Sequence, residues 1–192
     1  MSWLDSLLGR TKPPQADLDV LFGLPQAGIT LQAGGFTATG QGAVCFRDVD
    51  GTHDDTVVDG VLEVIATDVT ARTALTTDAH GYRWLTVTRP GPDVTGLVTD
   101  LHAANSALAD AGYGPSLLCS TVLLATPAGG PAALVYLFKQ GTFYPFVPLA
   151  GQRRDNAAEL QLRSLAERDV PIEPRLERWL ALWGAPGLDT AR

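Results

Sequence analysis

The side chains able to move protons, bind metals or attack a carbonyl are few in this sequence: three histidines, two cysteines and scattered serines and carboxylates. His53, His80 and His102 form no His-x-x-x-His pair, and Cys45 and Cys119 no Cys-x-x-Cys, so no zinc cluster is encoded. A reactive thiolate needs a cation or a helix N-terminus beside it. Both cysteines lie instead in apolar runs with no His nearby, and Ser116 and Ser120 lack a Gly-x-Ser-x-Gly elbow. Gly34, Gly35, Gly40 and Gly42 have neither G-x-G-x-x-G spacing nor a following Lys-Ser/Thr, so they read as hairpin glycines rather than a phosphate cradle. Asp48-Val49-Asp50-Gly51 opens like a calcium loop, but the twelfth position is Asp59, inside an expected helix, where a bidentate Glu is required. No catalytic, cofactor-binding or metal-binding residue is therefore assigned, no cofactor is expected, and an enzyme is not the favoured class. The enzymatic alternative is a small hydrolase built around His102 and Cys119 with Asp100.

Composition narrows the remaining classes. A chain of 192 residues with 45% hydrophobic content can bury one sizeable core. Its net charge of −7 argues against a nucleic-acid partner, which needs a concentrated basic field. Asp48, Asp50, Asp54, Asp55, Asp59, Glu63 and Asp68 cluster in a stretch without Lys or Arg and read as a solvated helix face and its flanks. Two cysteines in apolar runs suit buried thiols in a reducing compartment. No run reaches the ~18 to 20 apolar residues of a membrane span, and the N-terminus lacks a signal-peptide pattern. The expected location is cytoplasmic, with membrane association as a further option.

The elements that would position these residues centre on Asp93 to Leu149. Asp93, after Pro90-Gly91-Pro92, can cap a helix whose Val94, Leu97, Val98, Leu101, Ala104, Asn105 and Leu108 share one face. Asn105 is the polar residue on that face. Gly112 and Gly114-Pro115 stop the helix. Leu117 to Ala125 and Ala132 to Phe138 form a hairpin about Gly129-Gly130, and Phe143 to Val147 follows as an edge strand marked by Pro145.

Upstream, Asp17 to Phe22 reads as a short helix stopped by Gly23 and Pro25, with Ile29 to Gln32 and Ala43 to Arg47 as strands. Val57, Val58, Val61, Leu62 and Ile65 mark a helix face, and Arg72 to Thr77 with Tyr82 to Arg89 a hairpin. Asp155 can cap a helix through Arg168, leaving Arg153, Arg154 and Glu159 solvated; Glu173-Pro174 starts a last helix with Leu176, Trp179, Leu180 and Trp183 on one stripe. The expectation is α+β: a two-layer antiparallel sheet built from ββα-type units with helices packed on it. Residues 1–15 form an amphipathic arm and Pro-rich linker, and residues 16–192 a single domain.

Such a chain works by adhesion. The expected partner-binding residues are Phe143, Tyr144 and Phe146 on the edge strand with Arg153 and Arg154, and the arm face Trp3, Leu4, Leu7 and Leu8. That arm also supports an alternative as a peripheral membrane-binding protein.

The strings LFGLPQAGITL, GAVCFR, GYRWLTV, LVTDLHAANSALADAGYGPSLLCSTV, LVYLFKQGTFYPFVPL, RRDNAAELQLRSL and WGAPGL, in that order, resemble the PspA-associated protein family PspAB of actinobacteria and archaea. The resemblance implies an accessory of the phage-shock envelope-stress response. It further implies a PspA-like protein or other envelope-stress protein as partner; a homodimer is another option. No functional residue is carried over by it. The expected fold also resembles the type III secretion chaperone-like domain, an analogy of architecture alone.

Overall fold

The computed structural model describes residues 16–47 and 55–190. A 3-10 turn, Leu18–Gly23, runs straight into helix α1, Leu24–Ala33. Pro25 falls in the first turn of α1, where a missing N–H loses no helical bond. The Gly23/Pro25 pair is thus a start rather than a stop, and Ile29 to Gln32, expected as a strand, is helical. Leu24, Ala27 and Leu31 bury one side of it at helical spacing.

Strand β1, Thr37–Phe46, is a single long strand with a bulge between Ala38 and Gly42. Gly40 sits in that bulge at φ +77°, with no room for a Cβ against the carbonyls of Arg89 and Gly91. Helix α2, Asp55–Ala66, follows, then the hairpin β2, Arg72–Thr77, and β3, Arg83–Thr88. Helix α3, Val94–Leu108, is capped by Asp93, whose side chain accepts from the Gly96 amide at 2.8 Å. It ends near Gly112, at φ +95°. Strands β4, Leu117–Ala125, β5, Pro131–Leu137, and β6, Thr142–Phe146, come next, then a two-stranded ribbon of β7, Pro148–Leu149, and β8, Arg153–Arg154. Helix α4, Asn156–Ala166, is capped by Asp155 through the Ala158 amide at 3.0 Å.

The main sheet has six strands in the order β2-β3-β1-β4-β5-β6, each paired antiparallel to its neighbours. The fold is therefore α+β, as the alternation of elements predicts. Leu97, Val98, Leu101, Ala104 and Leu108 of α3 share a core with Val44, Phe46, Val122 and Leu124 on one sheet face. Asn105, the foreseen polar intruder, is fully buried and donates to Leu101 O at 2.7 Å and Ser120 Oγ at 2.9 Å. Among the described residues no helix is long and apolar enough to cross a membrane.

The opposite face carries Ala43, Cys45, Trp84, Cys119, Leu123, Val135, Tyr144 and Phe146. It is covered by the C-terminal segment, which is not the expected helix. After one 3-10 turn, Leu176–Arg178, the chain runs irregularly to Leu188, burying Trp179, Ala185 and Leu188. A helix with one apolar stripe would reach only a narrow band of this sheet, whereas an open chain with Gly184, Pro186 and Gly187 crosses it. Its start is tied to β6: the Phe143 amide donates to Pro171 O at 2.8 Å and the Glu173 amide to Phe143 O at 2.7 Å.

Arg89, at the end of β3, binds three acidic side chains. Its guanidinium holds Asp100 of α3 at 2.6 and 3.0 Å, Asp68 at 2.8 Å and the helix cap Asp93 at 3.4 Å. Arg89 and Asp100 side chains are 10% and 9% exposed, so the pair is nearly dry. Replacing Arg89 by Met would strand the Asp100 carboxylate, and urea unfolding should show a loss on the order of 3 kcal/mol. A loss under about 1 kcal/mol would show that the cluster is incidental. Asp68 has its carboxyl lowered to about 2 from 3.8, first by the Thr70 hydroxyl and amide and then by Arg89. Its contribution to stability is thus complete above about pH 4 and lost as pH falls toward 2. Carboxyl NMR titration should give that low midpoint, and Thr70→Val should move it upward; an unmoved midpoint would remove Thr70 as the cause.

Candidate functional site

One register row crosses the far face of the sheet. Trp84 of β3 stands opposite Cys45 of β1, Cys45 opposite Cys119 of β4, and Cys119 opposite Leu137 of β5. Because strand side chains alternate, all four point away from α3. Together they line a cleft of about 410 Å³. Tyr144 adds to the lining, Tyr82 and Leu118 stand beside it, and Leu180 to Trp183 of the C-terminal segment close one side. Asp78, His80, Lys139 and Gln140 supply its polar members.

The wall formed by the C-terminal segment is held by aromatic rings and two buried carboxylates. Trp179 stacks on Tyr144 with centroids 6.3 Å apart, and Trp183 meets Phe146 edge-on at 5.1 Å. Glu173, 2% exposed, accepts from the Thr142 hydroxyl at 2.9 Å and the Arg175 amide at 3.1 Å, with Arg178 at 3.5 Å. Burial raises its pKa, but these donors outweigh it and keep the carboxyl below its ordinary value. Its carbonyl takes the Trp179 indole N–H at 2.9 Å. Arg154 donates to Glu159 at 2.8 Å, to Pro145 O at 3.3 Å and to Trp179 O, and lies 5.1 Å from the Phe146 ring centroid.

Three titratable groups in the cleft are shifted by their surroundings. Hydrogen bonding to Cys119, then burial, pushes the Cys45 thiol far above its ordinary pKa, so it stays protonated at neutral pH. Burial likewise raises the Tyr144 phenol. Asp78 is lowered because donors outweigh its desolvation: Trp84 Nε1 at 3.0 Å and the amides of Tyr82 at 3.0 Å and His80 at 2.8 Å.

Of the residues expected to bind a partner, Phe143, Tyr144 and Phe146 are buried, against the expectation of an exposed aromatic edge. Phe143 lies on the helix side, 5.2 Å from Tyr136, while Tyr144 and Phe146 face the C-terminal segment. The β6 edge is closed as well, since both polar backbone groups of Phe143 are taken and Pro145 has no N–H. Arg154 and Glu159, expected in solvent, form a mostly buried pair because each supplies what the other and the Trp179 turn lack. Arg153 is exposed and donates to Ala150 O at 3.2 Å. Trp3, Leu4, Leu7 and Leu8 lie outside the described residues, as do His53 and the Asp48 to Gly51 loop.

The hydrolase constellation is not assembled. His102 lies 3.6 Å from Asp19 and against the Phe22 ring at 4.9 Å, Asp100 is held by Arg89, and Cys119 is on the other sheet face. Among the described residues no three His, Cys, Asp or Glu side chains gather as metal ligands.

A family model described as PspA associated protein B matches residues 1–187 of the 192. The chain belongs to the PspAB family. Neither a curated protein nor a solved structure matches it. The cleft is thus a feature of a PspAB chain that the family name does not describe.

Removing the Glu173 anchor tests how this PspAB cleft is walled. Glu173→Ala should raise hydrogen exchange from Trp179 to Leu188 while β4 and β5 keep their protection, at about 2 kcal/mol of lost stability. Exchange that rises equally throughout would show that the segment is not a separable wall.

Proposed function

We propose that this PspAB-family protein is a cytoplasmic, non-enzymatic interaction module of the envelope-stress response that binds a PspA-like protein through the cleft above the Trp84-Cys45-Cys119-Leu137 row. The observation that carries this reading is the cleft itself, an apolar hollow walled by aromatic and aliphatic side chains with a protonated thiol in its floor. Hollows of this kind take apolar anchors from a partner segment, and their few polar members set its orientation. The family description, which names an association with PspA, supplies the partner class. Of the residues expected from the sequence, Tyr144 takes part by lining the hollow. The arm face Trp3, Leu4, Leu7 and Leu8 is a second proposed contact.

The decisive test uses a side chain that reaches the cleft without holding the fold. Leu180 lines it and is 59% exposed, so Leu180→Asp should fold normally. Titration with a purified PspA-like protein should show Kd rising about tenfold or more for this variant. Val69→Asp, at a residue 94% exposed and away from the cleft, should bind like wild type. Equal binding by all three proteins would place the partner elsewhere, and no binding by wild type would end the proposal.

A further inference from the structure

The sequence contains two cysteines, and the fold sets them face to face. Cys45 and Cys119 are direct cross-strand partners on β1 and β4, with side chains on the same sheet face and both lining the cleft. Opposed residues on antiparallel strands have Cβ atoms ~4.5 to 5.5 Å apart, close to the ~3.5 to 4.5 Å that a disulfide needs. A register shift interrupts the ladder immediately beyond this pair, between Cys45 and Phe46. Both cysteines are free thiols and are 3% and 6% exposed, so the cleft is their route to solvent.

We propose that Cys45 and Cys119 form a cross-strand dithiol that a hydroperoxide entering the cleft converts to a disulfide, making the cleft floor an oxidative modification site. In the first step one thiol sulfur takes an oxygen from the hydroperoxide, giving a sulfenic acid and leaving the reduced alcohol or water. The second sulfur then attacks the first, the S–S bond forms and water departs with the second thiol's proton. Two electrons pass from the sulfur pair to one peroxide bond, and no other reactant is needed. The cross-strand register already sets the two side chains opposite each other on one sheet face. Hydrogen bonding to Cys119 and burial hold the Cys45 thiol protonated, so attack by that sulfur on a peroxide is slow.

This modification needs no partner in the cleft, so it is tested apart from the proposed function. Purified full-length protein is treated with hydrogen peroxide, unfolded, alkylated and mapped by mass spectrometry without reductant. The expected result is loss of the mass of two hydrogen atoms per chain, a linked Cys45 and Cys119 peptide pair, and recovery of both thiols with dithiothreitol. Trp84, next in the row, should change its emission in step with the bond, and the change should be absent in Cys45→Ser. Two alkylatable thiols after prolonged peroxide would overturn the proposal. So would sulfinic acid without a linked peptide, or linkage only between chains.

Discussion

A six-stranded sheet with apolar side chains on both faces cannot leave either one in water, and this constraint governs the molecule. Helices cover one face, with α3 at the centre. The other is too broad for the short C-terminal tail to cover as a helix, so the tail lies across it as an open chain anchored by Trp179, Ala185 and Leu188. Coverage by an open chain is incomplete, and the uncovered part is the cleft. The hollow thus follows from pairing a wide sheet with a narrow cover, not from any special residue placed to make it.

The charged side chains that might have been chemical are occupied in holding elements together. Arg89 ties β3 to the start and middle of α3, Arg154 and Glu159 tie α4 to the β6 end, and Glu173 ties the tail to Thr142. Each carboxylate receives several donors, which is what allows a charge to stay ionised with little water around it. The cleft itself adds sulfur, phenol and indole groups beside Asp78, His80 and Lys139.

Elements defined by long, regular patterns were legible in the sequence. Asp93 as a cap, the seven-residue inward face of α3, the Gly112 stop and the hairpins around Asp78 to Gly81 and Gly129-Gly130 all stand where spacing put them. Four alternating residues such as Ile29 to Gln32 suit a strand or one helical turn equally, and a Pro after a Gly, as at Pro25, marks a helix end or a first turn alike. In the tail, Trp179 and Trp183 at four-residue spacing satisfy a helix pattern, while what fixes them is ring contact with Tyr144 and Phe146. Part of the cleft is legible: alternation along Ala43 to Phe46 and Cys119 to Leu124 puts each cysteine on the face opposite the α3 core. That the two would be register partners depended on the bulge at Gly40 and the pairing of β1 with β4, which no local pattern encodes. The aromatic edge was a local reading of β6 that ignored the chain returning past it at Pro171.

That returning chain leaves the sheet lopsided. One margin, β6, is sealed by Pro145 and by the bonds to Pro171 and Glu173, while β2 at the far margin has a single neighbour among the described residues, with Arg72, Thr76 and Thr77 exposed. Strand-by-strand stacking of many copies needs two receptive margins per copy. With one margin shut, any addition along the sheet halts after a single event, and the molecule is protected from fibre growth at the place where its most hydrophobic strands lie.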